Sequence, residues 1–169
     1  MEITKKIDLK DLKDRKFPKE ICFQPIGIIH SKFKSLKGIP IQFSMSESQG
    51  TIEIFPKFQD GLQNLHKFSH IYCIYYFDMV KVPVPLRSKP FLQDKEVGVF
   101  SMRTPFRPNP IGLSIFELLR INKNLLTVSN VDVLDKTPIL DIKPYVSKFD
   151  HRNPHKYGWT KGKVKKMTS

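Results

Sequence analysis

The chain contains no run of ~18 apolar residues, which excludes a membrane-spanning helix at the level of sequence. Its first residues mix both charges and lack the apolar centre of a signal peptide, so export is not expected. Cysteine occurs only at Cys22 and Cys73, too far apart for a metal or redox spacing. Cys73 lies within Ile71-Tyr72-Cys73-Ile74-Tyr75 and reads as a small buried hydrophobe. A reducing, cytoplasmic setting fits that usage. A glycine-rich nucleotide loop is missing, and so is a long alternation of strand and helix patterns, which disfavours a Rossmann-type cofactor domain. No serine or cysteine nucleophile motif is visible, and there is no internal repeat. His151 and His155 are four apart, but Pro154 between them argues against a helical metal face, and no metal is expected. Acid is also scarce: 16 Asp and Glu stand against 29 Lys and Arg, a net charge of +13.

That imbalance points to a polyanionic partner, nucleic acid ahead of an anionic membrane. The plain alternative is a lysine-rich surface that serves solubility. The distribution helps to choose. Residues 147–169 hold Lys148, Arg152, Lys156, Lys161, Lys163, Lys165 and Lys166 with Asp150 as their one acid. The same segment carries His151, His155, Tyr157 and Trp159. Aromatics set between cations can stack on unpaired bases while the cations neutralise phosphates.

The most informative stretch is Arg103-Thr104-Pro105-Phe106-Arg107-Pro108-Asn109-Pro110-Ile111-Gly112. Each proline fixes φ, removes an N–H and pushes the residue before it towards extended backbone. Val97-Gly98-Val99-Phe100 and Ile111-Gly112-Leu113-Ser114-Ile115-Phe116 flank it, so the loop is tied to apolar strands at both ends. A stiff loop bearing two guanidinium forks suits a carboxylate or phosphate, although proline and asparagine also mark ordinary surface loops.

The 169 residues suffice for one domain, and 13 phenylalanines predict an aromatic-rich core. Residues 1–23 read as a charged N-terminal extension, flexible or weakly helical, 24–160 as the folded domain and 161–169 as a basic tail. Strands are expected at 24–30, 50–55, 69–77, 97–102, 111–122, 125–134 and 138–142, with a turn at Asn122-Lys123-Asn124. Residues 69–77 are too apolar to face water on either side and read as the central strand. Phe58, Leu62 and Leu65 share helical spacing, which predicts a short helix over 58–68. Pro83, Pro85 and Pro90 make 81–94 an irregular excursion. Short connections require antiparallel pairing. The expected fold is mainly β, a single-sheet antiparallel β-barrel with one or two short helices.

A second stretch, Asp132-Val133-Leu134-Asp135-Lys136-Thr137-Pro138, leads through Asp141 to Tyr145. Asp132 and Asp135 can accept hydrogen bonds from ribose hydroxyls or an amino group, or can serve a turn, the stronger reading for Asp135. Asp141 lies among apolar neighbours, which predicts burial beside Arg103 or Lys143 as an ion-pair partner. His70 opens the central strand, where it can orient a ligand or, the commoner role, satisfy a backbone group.

These residues resemble the TrmO-type (TsaA-like) family of S-adenosylmethionine-dependent tRNA methyltransferases. The resemblance runs from Gln24 to Trp159. It rests on Pro25-Ile26-Gly27, Gly38-Ile39-Pro40-Ile41-Gln42 and Phe68-Ser69-His70-Ile71, on Gly98 to Ser114 above all, and on Asp132 to Tyr145. The departures are mild: Ser101-Met102 stands where alanine-threonine is usual, and Thr104 stands for serine. The resemblance implies a single-sheet barrel, a homodimer, and methyl transfer to N6 of threonylcarbamoyl-adenosine at position 37 of tRNA. It also implies cofactor contacts at Pro40, Ile41 and Gln42, at His70 and Ile71, at Arg103 and Leu113, and at Asp132, Val133, Leu134 and Asp135. The opening strand, the proline loop and the aspartate turn would then converge on one pocket.

On that basis Arg103 is expected to hold an anionic part of cofactor or substrate. Asp132 and Asp135 are expected to bind polar groups of the adenosine moiety. Asp141 and Tyr145 are the candidates for orienting the acceptor. Arg107, Lys143, Arg152, Lys156 and Lys161 are expected to meet tRNA phosphates. The rival readings are the same cofactor with another RNA or small-molecule acceptor, and a non-catalytic basic RNA-binding module.

Overall fold

A computed structural model describes residues 16–81 and 83–163. The first 15 positions of the expected N-terminal extension lie outside the described residues, as do Lys165 and Lys166 of the tail. The strands, in chain order, are β1 (Gly27–His30), β2 (Gly50–Ile54), β3 (His70–Tyr76), β4 (Arg87–Ser88), β5 (Val97–Gly98), β6 (Ile111–Asn122), β7 (Leu125–Ser129) and β8 (Thr137–Pro144). All but β4 and β5 close into a barrel. Their order around it is β1-β2-β7-β6-β3-β8, and every pairing is antiparallel, including the closing pair β1–β8. Closure leaves no barrel strand with an unpaired edge. The period-two patterns decide which face looks inward. Ile29, Ile52, Ile71, Cys73, Phe116, Leu126 and Ile139 are completely buried and point to the axis.

Three strand expectations change. Residues 97–102 hold only the two-residue strand β5, paired outside the barrel with β4, and then a 3-10 turn at Val99–Ser101. Val99 and Met102 turn inward there and are buried, which a flat strand would not allow. Strand β7 stops at Ser129 because Asn130 takes φ 66°, so 130–134 becomes a turn. The last strand reaches Pro144 and carries a bulge at Leu140, where Ile74 and Tyr75 of β3 face Asp141 and Ile139. The helix expected over 58–68 is instead two 3-10 turns, Pro56–Leu62 and Leu65–Lys67, broken at Asn64 with φ 65°. Among the described residues the one α-helix is the single turn α1 (Ser147–Asp150). No described helix is long and apolar enough to cross a membrane.

The core is not aromatic-rich. Of the phenylalanines, Phe33 and Phe116 are buried, whereas Phe91, Phe100, Phe106 and Phe149 stand more than half exposed. A six-stranded barrel has a narrow interior, which Ile, Val and Leu fill. Strand β3 is likewise not buried on both faces: Ile71, Cys73 and Tyr75 face inward, while Tyr72, Ile74 and Tyr76 face out. The outer face of β6 is apolar too, through Ile111, Leu113 and Ile115. That apolar outer surface is one wall of the cavity described next.

Candidate functional site

A cavity of about 920 Å³ lies against the outside of β3 and β6. Four segments wall it: the 36–43 loop, the 72–80 end of β3, the 100–109 loop and the 132–134 turn. The 100–109 loop is held from several sides. The N–H of Phe77 donates to the Pro110 carbonyl (2.8 Å), fastening the end of β3 to the proline run. The Arg107 guanidinium donates to the carbonyls of Met102 (3.2 Å) and Thr104 (3.4 Å), bracing the loop across its own turn. The Thr104 hydroxyl accepts the Phe106 N–H at 3.3 Å. Arg103 donates to Gln42 Oε1 at 3.1 Å, linking the proline loop to the 36–43 loop. The stiffness that the prolines predict is therefore built from cross-braces.

Behind the inner wall a buried hydroxyl links two polar groups of the lining, Tyr75 and Asp132. The Ser114 hydroxyl donates to Asp132 Oδ1 at 2.8 Å, and Tyr75 Oη lies 3.0 Å from Ser114 Oγ. Burial pushes the Asp132 carboxyl up to about 6, against hydrogen bonds from Ser114 and from the backbone amides of Asp132 and Phe43 that hold it back. Burial also drives the Tyr75 phenol upward, with the Asp132 charge adding to it. The barrel admits this chain because Gly112 lies directly across from Tyr75. A Cβ at Gly112 would collide with the Tyr75 ring, so glycine here serves close approach.

Several residues singled out in the sequence meet in this cavity. Pro40, Ile41 and Gln42 line one side, Arg103 and Leu113 a second, and Asp132, Val133 and Leu134 the floor. Arg107 lines it as well, with its guanidinium turned to loop carbonyls.

Other residues fall elsewhere. Asp135 is tied to the Ser31 N–H (3.0 Å) and Lys34 (2.6 Å), outside the cavity lining. The Lys34 ammonium holds its carboxyl below the ordinary range. His70 and Ile71 sit at the far end of β3; Ile71 points into the core, and His70 bonds Ser69 Oγ at 2.9 Å. Asp141 is not buried: it pairs with Lys143 at 2.6 Å on the outer face of β8, with side-chain exposures of 44% and 62%. The extra residue of the β8 bulge, Leu140, shifts the alternation by one and turns Asp141 outward there. Of the two partners expected for it, Lys143 is the one found. Tyr145 packs on Tyr72 (5.6 Å between ring centres) and His70 (6.4 Å), beside the cavity rather than within its lining. Arg152, Lys156 and Lys161 lie on the exposed C-terminal segment. Among the described residues, no group of three or more His, Cys, Asp or Glu side chains is placed to hold a metal ion.

Sequence reasoning missed Tyr75, Ser114 and the reason for Gly112. The signal was present: Ser114 occupies an inward register in an otherwise apolar strand, and a polar residue there needs a partner.

Residues 28–151 match the family model of the tRNA-methyltransferase O N-terminal domain. The chain belongs to this family. A Pyrococcus abyssi relative, a probable S-adenosyl-L-methionine-binding protein, is 46% identical over 151 residues, covering 89% of this chain and 82% of that protein. The mouse tRNA (adenine(37)-N6)-methyltransferase is 35% identical over 150 residues, covering 79% of this chain and 34% of that protein. Among solved structures, TrmO from Pseudomonas aeruginosa superposes with TM-score 0.70 at 34% identity, over 82% of this chain and 62% of that one. The chain thus spans under two thirds of that solved TrmO and about a third of the mouse protein. Within the TrmO N-terminal family, the proline loop from Arg103 to Gly112 and the Asp132 turn now have a shared location, which a barrel alone does not explain.

Proposed function

We propose that this chain binds S-adenosylmethionine in the 920 Å³ cavity and methylates N6 of threonylcarbamoyl-adenosine at position 37 of tRNA. The observation that carries the reading is convergence: three sequence segments far apart in the chain, 40–42, 103–109 and 132–134, wall one cavity. The relatives' names, S-adenosyl-L-methionine-binding protein and tRNA (adenine(37)-N6)-methyltransferase, support the donor and the acceptor. The cavity fits the donor by size and chemistry. Its volume is within the range of about 300–1,000 Å³ usual for small-molecule sites. Ile41, Leu113, Val133 and Leu134 give apolar walls for a planar base, the exposed Arg103 offers a cation for a carboxylate, and Asp132 is an acceptor for hydroxyl or amino hydrogens.

When bound, the sulfonium supplies an electrophilic methyl group. The protein's part is placement. Holding the acceptor nitrogen close and in line is worth up to ~7–11 kcal/mol of the barrier. Arg103, fixed by Gln42, positions the anionic end of the ligand. Asp132, fixed by Ser114, binds the adenosine side. A carboxyl raised only to about 6 is mostly ionised at neutral pH, the form that accepts hydrogen bonds from hydroxyl or amino groups there. Of the two acceptor-orienting candidates we favour Tyr145, which packs on the cavity residue Tyr72, over Asp141, which pairs with Lys143.

We further propose a cytoplasmic homodimer, the setting and assembly that the family resemblance implies. Calorimetric titration of S-adenosylmethionine, followed by methylation of tRNA with and without the threonylcarbamoyl group, tests the reading. Saturable binding and methylation only of the modified tRNA are expected. Binding without methylation of either tRNA would move the activity to another acceptor, a reading favoured by relatives whose names state cofactor binding alone.

A further inference from the structure

Phe100 and Phe106 are both on the cavity lining, and they stand 78% and 57% exposed. Their exposure is enforced. In the turn Val99–Ser101 the buried neighbours Val99 and Met102 fix the backbone, so Phe100 between them is pushed outward. Phe106 follows Pro105, its N–H held by Thr104 and its loop clamped by Arg107. Two aromatic faces are thus presented to solvent on a braced loop, with little ordering left to pay for on binding.

The C-terminal segment returns to the same place. The Trp159 indole N–H donates to the carbonyl of Ser101, the residue after Phe100, at 2.7 Å. Lys163 Nζ donates to Gln93 Oε1 at 3.1 Å. The basic tail is therefore pinned beside the aromatic rim, with Lys161 between its two anchors. Exposed Arg103 flanks the rim from the cavity side.

We propose that Phe100 and Phe106 form a base-stacking rim for an unpaired RNA strand, and that Trp159 and Lys163 pin the tail so that Lys161 meets the phosphates of that strand. The inference deepens the RNA reading and rests on it for the kind of polymer. Stacking requires free base faces, which a duplex does not offer. An isologous second copy is the weaker occupant: pairing the rim with itself would set Arg103 and the tail lysines against their own like charges in a chain of net charge +13.

The test compares one labelled RNA sequence, unpaired and in duplex, by fluorescence anisotropy against the full chain. Phe100→Ala is expected to weaken the unpaired strand by about 5- to 100-fold and leave the duplex unchanged, while Phe100→Trp restores or tightens binding. Phe106→Ala is expected to act in the same direction. Lys161→Gln should lower the salt slope by about one. Circular dichroism of each variant checks the fold, and Phe100→Trp keeps an informative arm if the alanine variant misfolds. Equal losses on both RNAs, or a loss under twofold on the unpaired strand, overturn the stacking rim. Dissociation of a dimer by Phe100→Ala in ultracentrifugation overturns it in favour of a second copy. Calorimetry of wild-type protein with S-adenosylmethionine separates the two readings: no donor binding alongside intact strand binding sinks the methyltransferase reading and leaves the rim standing.

Discussion

Replacing Asp132 by Asn should raise stability relative to wild type progressively as pH climbs from 4 to neutral, while impairing the site. Burial holds the folded-state carboxyl at about 6, above its ordinary 3.8. Between those values the folded state binds more protons than the unfolded state, so stability falls as pH rises through the window. Above it the ionised group carries the full penalty, on the order of 3 kcal/mol for a shift of about two units. Asparagine cannot ionise and escapes the penalty. Its amide oxygen can still accept the Ser114 hydroxyl, whereas its NH2 faces backbone amides that now lack an acceptor. That second effect is a constant offset. The variant-minus-wild-type stability should therefore lie within about 0.5 kcal/mol of that offset near pH 4 and climb by a further ~2.4 kcal/mol by pH 7.5, roughly 5–10 °C in melting temperature. Thermal unfolding of both proteins at four pH values between 4 and 7.5 measures it, and the subtraction removes other titrating groups. A difference that does not vary with pH would refute the buried, raised carboxyl. Loss of donor binding or turnover in the more stable variant would show stability given up for function.

Arg103→Ala should weaken S-adenosylmethionine binding about tenfold or more in calorimetry with the melting temperature little changed, since the side chain is exposed and braces only Gln42. Gly112→Ala should displace the Tyr75 ring and destabilise by about 1–3 kcal/mol in denaturant unfolding, with the largest shifts at Tyr75 and Ser114 in NMR spectra. Asp135→Ala should lower stability above pH 4 and lose its effect as pH falls through the depressed carboxyl value, because only the ionised form serves Lys34 and Ser31. Truncation after Tyr157 removes Trp159 and the lysines beyond it, so tRNA affinity should drop and its salt dependence flatten.

What was legible in the sequence follows from which interactions are local. Strands β1, β2, β6 and β7 announce themselves through period-two alternation, and short connections between them enforce antiparallel pairing. The helix over 58–68 failed for a local reason that apolar spacing does not carry: Asn64 enters the left-handed region and splits the segment into two turns. The phenylalanines failed for a global one. Counting them predicts a core, but a six-stranded barrel has room on its axis for Phe116 and Tyr75 among mostly aliphatic side chains, so phenylalanine surface was left for the rim. The site divides the same way. The proline loop and the aspartate turn are contiguous motifs and could be read directly, whereas the Tyr75–Ser114–Asp132 chain joins residues 39 and 18 apart in sequence. Neither Ser114 nor Gly112 is distinctive alone. Their meaning comes from register: Gly112 pairs with Tyr75 in β3, and that one pairing lets the phenol reach the hydroxyl that holds Asp132. Asp141 shows the converse. Its apolar neighbours imply burial, yet one bulge at Leu140 of β8 turns it out to Lys143, and register again decides between a cavity group and a surface ion pair.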